Sequence, residues 1–93
     1  MQFALRQNRP NPFSKTTTIQ FDLPRESAVS LRIFDVQGRM IRALAAGGRY
    51  GPGTWSLGWD RSTQSGREAP AGVYFYRLNA GEFSEQRKMI LLT

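Results

Sequence analysis

The chain has 93 residues, a formal net charge of +6, and neither histidine nor cysteine. This length suffices for one domain that folds without a metal or a disulfide. The missing side chains exclude an imidazole base, a thiol nucleophile and a soft-metal site. The 13 basic residues are spread over the whole chain. Because a nucleic-acid footprint usually clusters such charge, we expect no nucleic-acid partner.

Alternation of apolar and polar residues predicts several half-buried β-strands. It is clearest in four stretches, which read TTTIQFDL (16–23), AVSLRIFD (28–35), TWSLGWD (54–60) and GVYFYRL (72–78). The stretch RMIRALAA (39–46) has Ile41 and Leu44 three positions apart, which fits either a bulged strand or a short helical turn, and we interpret it as a strand. The apolar run near the end of the chain predicts a final strand.

Two glycines mark tight turns between predicted strands. In Asp35–Arg39 and Leu78–Glu82, Gly38 and Gly81 stand where a three-residue hairpin loop needs a left-handed residue. Six or seven short strands with no convincing helix predict an all-β fold, an antiparallel immunoglobulin-like β-sandwich. We assign residues 1–15 to an opening segment and residues 16–93 to the sandwich.

The chain contains few side chains suited to catalysis or metal binding. Asp22, Asp35 and Asp60 lie at strand ends or turns, where carboxylates commonly bind turn amides, and we predict no catalytic residue and no enzyme. The loop WDRSTQSGREAPAG (59–72) offers oxygen atoms that could surround calcium. It has a single carboxylate near its turn, so we favour a hydrogen-bonded loop and predict no metal and no cofactor.

The aromatic residues permit two interpretations. Trp55, Trp59, Tyr74, Phe75 and Tyr76 could form a flat platform for sugar rings, as in a carbohydrate-binding module. The two tryptophans share one strand face with Leu57, however, and this pattern favours burial between two sheets. Phe34 and Phe75 stand at the positions of their strands that alternate with the predicted inward-facing residues. We therefore predict that they face outward and form an exposed apolar patch.

Five segments of the chain closely resemble the C-terminal sorting domains of type IX secretion cargo. They read LRQNRPNPFSKTTTIQFDLP, VSLRIFDVQGRMIRAL, PGTWSLGWD, SGREAPAGVYFYRL and RKMILL. The same segments are equally similar to the immunoglobulin-like (FlgD-like) domain of flagellar hook-capping proteins. The resemblance extends from about Leu5 to Leu92, in the order and spacing of the family, and it implies a β-sandwich.

The resemblance also implies roles for individual residues. The family's structural motif positions correspond to Pro10, Asn11, Pro12, Phe13, Gly38, Arg39, Gly72, Tyr74 and Gly81. Its terminal basic-apolar element corresponds to residues 87–92, which makes Arg87, Lys88 and Met89 the candidates for sorting recognition. We expect Arg87 and Lys88 to be exposed and the residues after them mostly to pack. Where relatives carry a glycine and a second aspartate, this chain has Arg61 and Thr63, which weakens the calcium interpretation further.

The function that the resemblance implies is a non-catalytic C-terminal module that directs secretion or cell-surface anchoring of a larger bacterial protein. Its partners would be an N-terminal passenger domain in the same chain and outer-membrane secretion or anchoring machinery. The location would be secreted or at the cell surface, reached by way of the periplasm. No apolar stretch is long enough to cross a membrane. The alternatives are a carbohydrate-binding module and a structural spacer of an extracellular enzyme.

Overall fold

A computed structural model describes all 93 residues as seven β-strands without a helix. The strands are β1 (Ala4–Leu5), β2 (Thr17–Leu23), β3 (Ser27–Asp35), β4 (Met40–Tyr50), β5 (Gly53–Trp59), β6 (Gly72–Ala80) and β7 (Phe83–Leu91). They form a three-stranded sheet in the order β1-β2-β5 and a four-stranded sheet in the order β4-β3-β6-β7. All ladders are antiparallel, so the predicted antiparallel β-sandwich is confirmed. Its immunoglobulin-like character stays a prediction.

The hydrophobic core lies between the two sheets and contains 17 buried apolar residues. On β2 the inner-facing residues Ile19, Phe21 and Leu23 are fully buried, and β3 follows the same alternation. On β5 the prediction is right for Trp59, which is 1% exposed, and wrong for Trp55, which is 37% exposed. Because β5 is the edge of its sheet, its inward side chains are covered from one side only.

The first predicted hairpin loop is confirmed, and the length of the second is wrong. Gly38 has a φ of +82°, and its N–H donates to the Asp35 carbonyl at 3.0 Å. The Asp35 N–H donates to the Arg39 carbonyl at 3.0 Å, which closes a three-residue loop between β3 and β4. The second hairpin closes between Ala80 and Phe83, so its loop has two residues. Gly81 has a φ of +59° and occupies the first loop position, as a type II′ turn requires.

Substitution of Gly38 by valine should lower the free energy of unfolding by about 1–3 kcal/mol, because a β-branched residue is strained at positive φ. Gly48 lies in β4 without a positive φ and has open space where a Cβ would project. Gly48→Val is therefore the matched control, with an expected change below about 0.5 kcal/mol. Thermal melts measure both variants, and equal loss in the two would contradict the role of the turn.

The uncertain stretch around Ile41 belongs to a bulged strand, as interpreted. β4 pairs with β3 and shows three register shifts along that ladder. The opening segment contributes β1, which is too short for a periodicity to reveal, and places Leu5 and Phe13 in the core. The proposed boundary at residue 16 stays a prediction, since the opening segment packs against the sandwich over much of its length.

The loop between β5 and β6 is held by its own hydrogen bonds. The Asp60 carboxylate accepts from the N–H and the hydroxyl of Ser62, at 3.0 and 2.5 Å. Both bonds lower the pKa of Asp60, and the bond from the Ser62 hydroxyl has the larger effect. Thr63 and Arg67 pair through their backbones at 2.7 Å. The Asp60 and Ser62 side chains, two of the oxygen groups considered as calcium ligands, are thus hydrogen-bonded to each other within the loop.

Candidate functional site

The outer face of the four-stranded sheet carries a continuous row of apolar side chains that ends at a lysine. In the strand registers, Met40 pairs with Phe34, Phe34 with Phe75, and Phe75 with Lys88. Directly paired residues of antiparallel strands project from the same face of the sheet. Met40 and Lys88 are exposed, while the two phenylalanines are half-buried. These four residues are called the outer row below.

Further side chains extend this surface on both sides of the outer row. The guanidinium carbon of Arg77 lies 4.9 Å from the centre of the Phe34 ring, within the range of a cation–π contact. Arg77 also donates to the Gln86 side-chain oxygen at 3.0 Å. Val73 and Ile90 form the next pair along the same face, and both are partly exposed. The result is an apolar surface flanked by fixed positive charge.

The position of β7 is fixed by residues of the opening segment, which cover the outer edge of this strand. The Asn11 side-chain oxygen accepts from the Ile90 N–H at 2.9 Å. The Phe13 N–H donates to the Ile90 carbonyl at 3.1 Å, and the Phe13 carbonyl accepts from the Leu92 N–H at 2.7 Å. Gln7 donates from its side-chain amide to the Lys88 carbonyl at 2.8 Å. Gln7, Asn11 and Phe13 are called the terminal clamp below.

A buried polar network supports the terminal clamp from beneath. Asn8, 1% exposed, donates from its side chain to the Thr17 hydroxyl at 2.9 Å and from its backbone to the Tyr76 hydroxyl at 2.8 Å. Tyr76 in turn donates to the Arg6 carbonyl at 2.7 Å. The Thr17 hydroxyl donates to the Pro10 carbonyl at 2.8 Å. The sequence analysis did not single out Asn8 or Thr17, although a core-facing tyrosine needs a hydrogen-bond partner and was a usable signal.

Burial raises the pKa of Tyr76 from its ordinary value of 10 to about 12. The folded state therefore favours the neutral hydroxyl, which contributes stability below pH 10 and loses that contribution as the pH rises from 10 toward 12. Tyr76→Phe should cost about 1–3 kcal/mol at neutral pH, because the Asn8 N–H and the Arg6 carbonyl lose their partner. Denaturant titrations at several pH values measure this. The variant should also lose less stability above pH 10 than the parent, and identical alkaline profiles would contradict the assignment.

Aromatic side chains connect the clamp to the core. The Phe13 ring lies 5.8 Å from the Trp59 ring, which lies 5.6 Å from the Tyr74 ring in an edge-to-face arrangement. The Tyr74 hydroxyl donates to the Pro70 carbonyl at 2.5 Å, which ties the start of β6 to the preceding loop. Burial has the largest effect on the Tyr74 hydroxyl and raises its pKa, and the negative charge of Asp35 raises this pKa further. The buried Phe13 thus joins the opening segment to the sandwich by packing as well as by hydrogen bonds.

The Gly38–Arg39 turn lies at the same end of the sandwich as Tyr74, because Asp35 and Tyr74 are direct partners. The Asp35 carboxylate accepts from the backbone N–H groups of Gln37 and Arg39 and from the Arg39 side chain at 2.8 Å. Desolvation by itself raises the pKa of Asp35, but these hydrogen bonds together outweigh it, so the pKa of Asp35 is lowered. Gly81 lies at the opposite end of the β6–β7 ladder.

Among the predicted recognition residues, only Lys88 is freely exposed. Arg87 is half-buried, donates to the Leu5 carbonyl at 2.7 Å and lies 3.2 Å from the Glu85 carboxylate. Its expected exposure is therefore wrong in part, because its side chain joins β7 to β1. Met89 is fully buried, so its side chain is not accessible in the folded domain. Pro10 and Pro12 are exposed, and Gly72 begins β6.

The aromatic platform needed for sugar stacking does not form. Trp59, Tyr74 and Tyr76 are buried, while Trp55 and Phe75 lie on different sheets. The two remaining rings thus share no surface. The structure contains no group of three or more acidic, histidine or cysteine side chains suited to a metal.

A model of a protein family matches part of the chain. Residues 9–50 match the model described as the secretion system C-terminal sorting domain. This part of the chain, slightly less than half of it, is similar to that family. The matched residues include Asn11 and Phe13 of the terminal clamp, the Gly38–Arg39 turn, and Phe34 and Met40 of the outer row. No curated protein matches the chain.

A solved structure resembles this chain over its full length. The dimeric latent PorU of Porphyromonas gingivalis superposes with a TM-score of 0.75 and 19% sequence identity. The alignment covers 100% of this chain and 10% of the PorU chain. This likeness concerns the fold, and the chain corresponds to only a tenth of PorU. The similarity to flagellar hook-capping domains stays a prediction.

The match to this family model indicates the general function. The sorting domain is a secretion-directing module of a larger protein, and such proteins are secreted or held at the cell surface. Sorting-signal domains are in general non-catalytic. No helix in this structure has the length and apolar character to span a membrane.

Proposed function

We propose that the outer row is the surface through which secretion machinery recognises this sorting domain. The observation that carries the proposal is the register that places Met40, Phe34, Phe75 and Lys88 side by side across all four strands. Aromatic residues, methionine and arginine are enriched at protein interfaces, and this surface carries Phe34, Phe75, Met40 and Arg77. The clamp and the Arg87 contact hold β7, and therefore Lys88, at a fixed place on this surface.

The position of the opening segment suits an N-terminal passenger domain. Phe3 stacks on Phe83 at 5.2 Å, next to the β6–β7 hairpin, and the Arg25 guanidinium carbon lies 5.1 Å from the Phe3 ring. Leu91 pairs with Gly72 at the other end of the same ladder. A passenger joined ahead of Phe3 leaves the Leu91 end uncovered. The domain itself catalyses nothing, and it delivers or anchors the passenger at the outer membrane.

The decisive test uses the only two lysines of the chain. A reporter fused ahead of Phe3 is expressed in a bacterium with type IX secretion, and its delivery to the cell surface is measured. Lys88→Gln should reduce delivery several-fold, because it removes the charge at the end of the outer row. Lys15→Gln makes the same chemical change at an exposed residue outside the outer row and should leave delivery at the parental level.

Phe75→Thr is a second variant that keeps a good strand former while removing the ring at the centre of the outer row. Its delivery should fall together with that of Lys88→Gln, provided that the melting temperature shows a folded domain. Parental delivery of both folded variants would contradict the proposal and favour a structural spacer.

A further inference from the structure

Four strands lie at the edges of the two sheets, and three of them are protected against pairing with another chain. β1 has only two residues, and the terminal clamp covers part of β7. β4 is bulged, and Gln64 binds the Ile41 carbonyl and the Ala43 N–H at its edge, at 2.8 and 3.0 Å. The fourth edge strand, β5, shows none of these features.

The sequence of β5 contains no charged residue and no proline, and its register with β2 is continuous over the whole strand. Thr18 and Gln20 of β2 direct their backbone groups toward the opening segment. The backbone groups of the odd-numbered residues of β2 therefore point toward β5. They form hydrogen bonds with the odd-numbered residues of β5 that pair with them. The N–H and C=O groups of Thr54, Ser56 and Gly58 consequently point to the free edge.

The inner face beside this edge is incompletely covered. Trp55 and Leu57 face the interior, yet Trp55 is exposed and Leu57 is half-buried. At the Trp59 end of β5, a cleft of about 290 Å³ lined mostly by polar residues opens toward β4, and its lining includes Arg42, Leu44 and Asp60. The sheet that contains β5 has one strand fewer than the sheet on which it packs.

We propose that the free edge of β5 accepts one extended strand from another protein, by β-strand addition. The incoming segment would bond to Thr54, Ser56 and Gly58 and turn alternate apolar side chains toward Trp55 and Leu57. The segment is neutral or acidic, because the domain carries a net charge of +6. The same charge disfavours a second copy of this chain as the occupant. This inference does not depend on recognition through the outer row.

The test uses the 93-residue chain and the synthetic peptide ETVTVTE, which alternates valines with polar residues and has acidic ends. Amide NMR spectra are recorded during titration of the peptide. Saturable shifts of the Thr54, Ser56 and Gly58 signals are expected. Saturable shifts at Ser84–Lys88 instead, or no saturable shift, would overturn the proposal.

A proline at position 56 removes a free-edge N–H and spares the ladder with β2. Ser56→Pro should weaken peptide binding by about tenfold, whereas Ser56→Ala, which keeps the N–H, should bind within about twofold of the parent. Two N-methylated peptides keep the test valid if the proline variant unfolds. Methylation of one alternate set of peptide amides should abolish binding and methylation of the other set should not, because only one set faces β5.

Equal effects of the two methylated peptides would contradict strand addition. Sedimentation of the chain without peptide tests whether the occupant of the β5 edge is a second copy of this chain. A concentration-dependent dimer whose β5 signals change on association would assign the edge to a second copy and overturn the proposal of a foreign strand.

Discussion

Leu91→Ala should lower the free energy of unfolding by about 2–5 kcal/mol, a large share of the 5–15 kcal/mol typical of a domain. Leu91 is 1% exposed and lies in the core cluster with Met89. Its strand also receives the opening segment, since the Phe13 backbone bonds to Ile90 and Leu92 on either side of it. Deletion of Lys88–Thr93 removes both core side chains together with these bonds and should unfold the domain.

The adjacent leucine provides the control for this prediction. Leu92 is 48% exposed, and its N–H remains in an alanine variant. Leu92→Ala should therefore change stability by less than about 0.5 kcal/mol. Chemical denaturation of both variants measures the difference, and similar losses at the two leucines would show that the register of β7 is wrong.

The two tryptophans of β5 should respond very differently to truncation. Trp59→Ala should cost about 3–5 kcal/mol, because this ring is buried between Phe13 and Tyr74 and its indole N–H donates to the Ser62 carbonyl at 2.9 Å. Trp55→Ala should cost roughly 1 kcal/mol, since the exposed ring packs at the sheet edge against Tyr50.

Intrinsic fluorescence distinguishes the same two residues without a stability measurement. The emission that remains in Trp55→Ala comes from a buried indole, while Trp59→Ala retains an accessible one. A small polar quencher should therefore act strongly on the second variant and weakly on the first. Equal quenching in two folded variants would contradict the edge position of β5.

Strand positions and side-chain parity could be predicted because both depend on local backbone geometry. Successive side chains of a strand point to opposite faces, so the outward parity of Phe34 and Phe75 was visible in the alternation itself. The left-handed residue Gly38 was visible for a similar reason, since loop length and glycine position fix that hairpin. The Gly81 loop was misjudged because a glycine fits either a two-residue or a three-residue turn.

The contacts of the terminal clamp could not be predicted from local patterns, although both of the segments that meet there carry family motifs. The family resemblance marked Pro10–Phe13 and residues 87–92 separately, and nothing local in either segment indicates that Asn11 meets Ile90. The network beneath it joins Asn8 to Tyr76 over 68 positions. Contacts at such separations depend on the packing of the two sheets.

The sequence by itself determined the class of fold, most of the strands, one turn and the face on which each strand residue lies. Only the tertiary structure decided which strands are edges, and with that the exposure of Trp55, the burial of Met89 and the partial burial of Arg87. Parity states where a side chain points, whereas burial requires a neighbouring strand to cover it. That neighbour is chosen by long-range pairing, which no alternating pattern encodes.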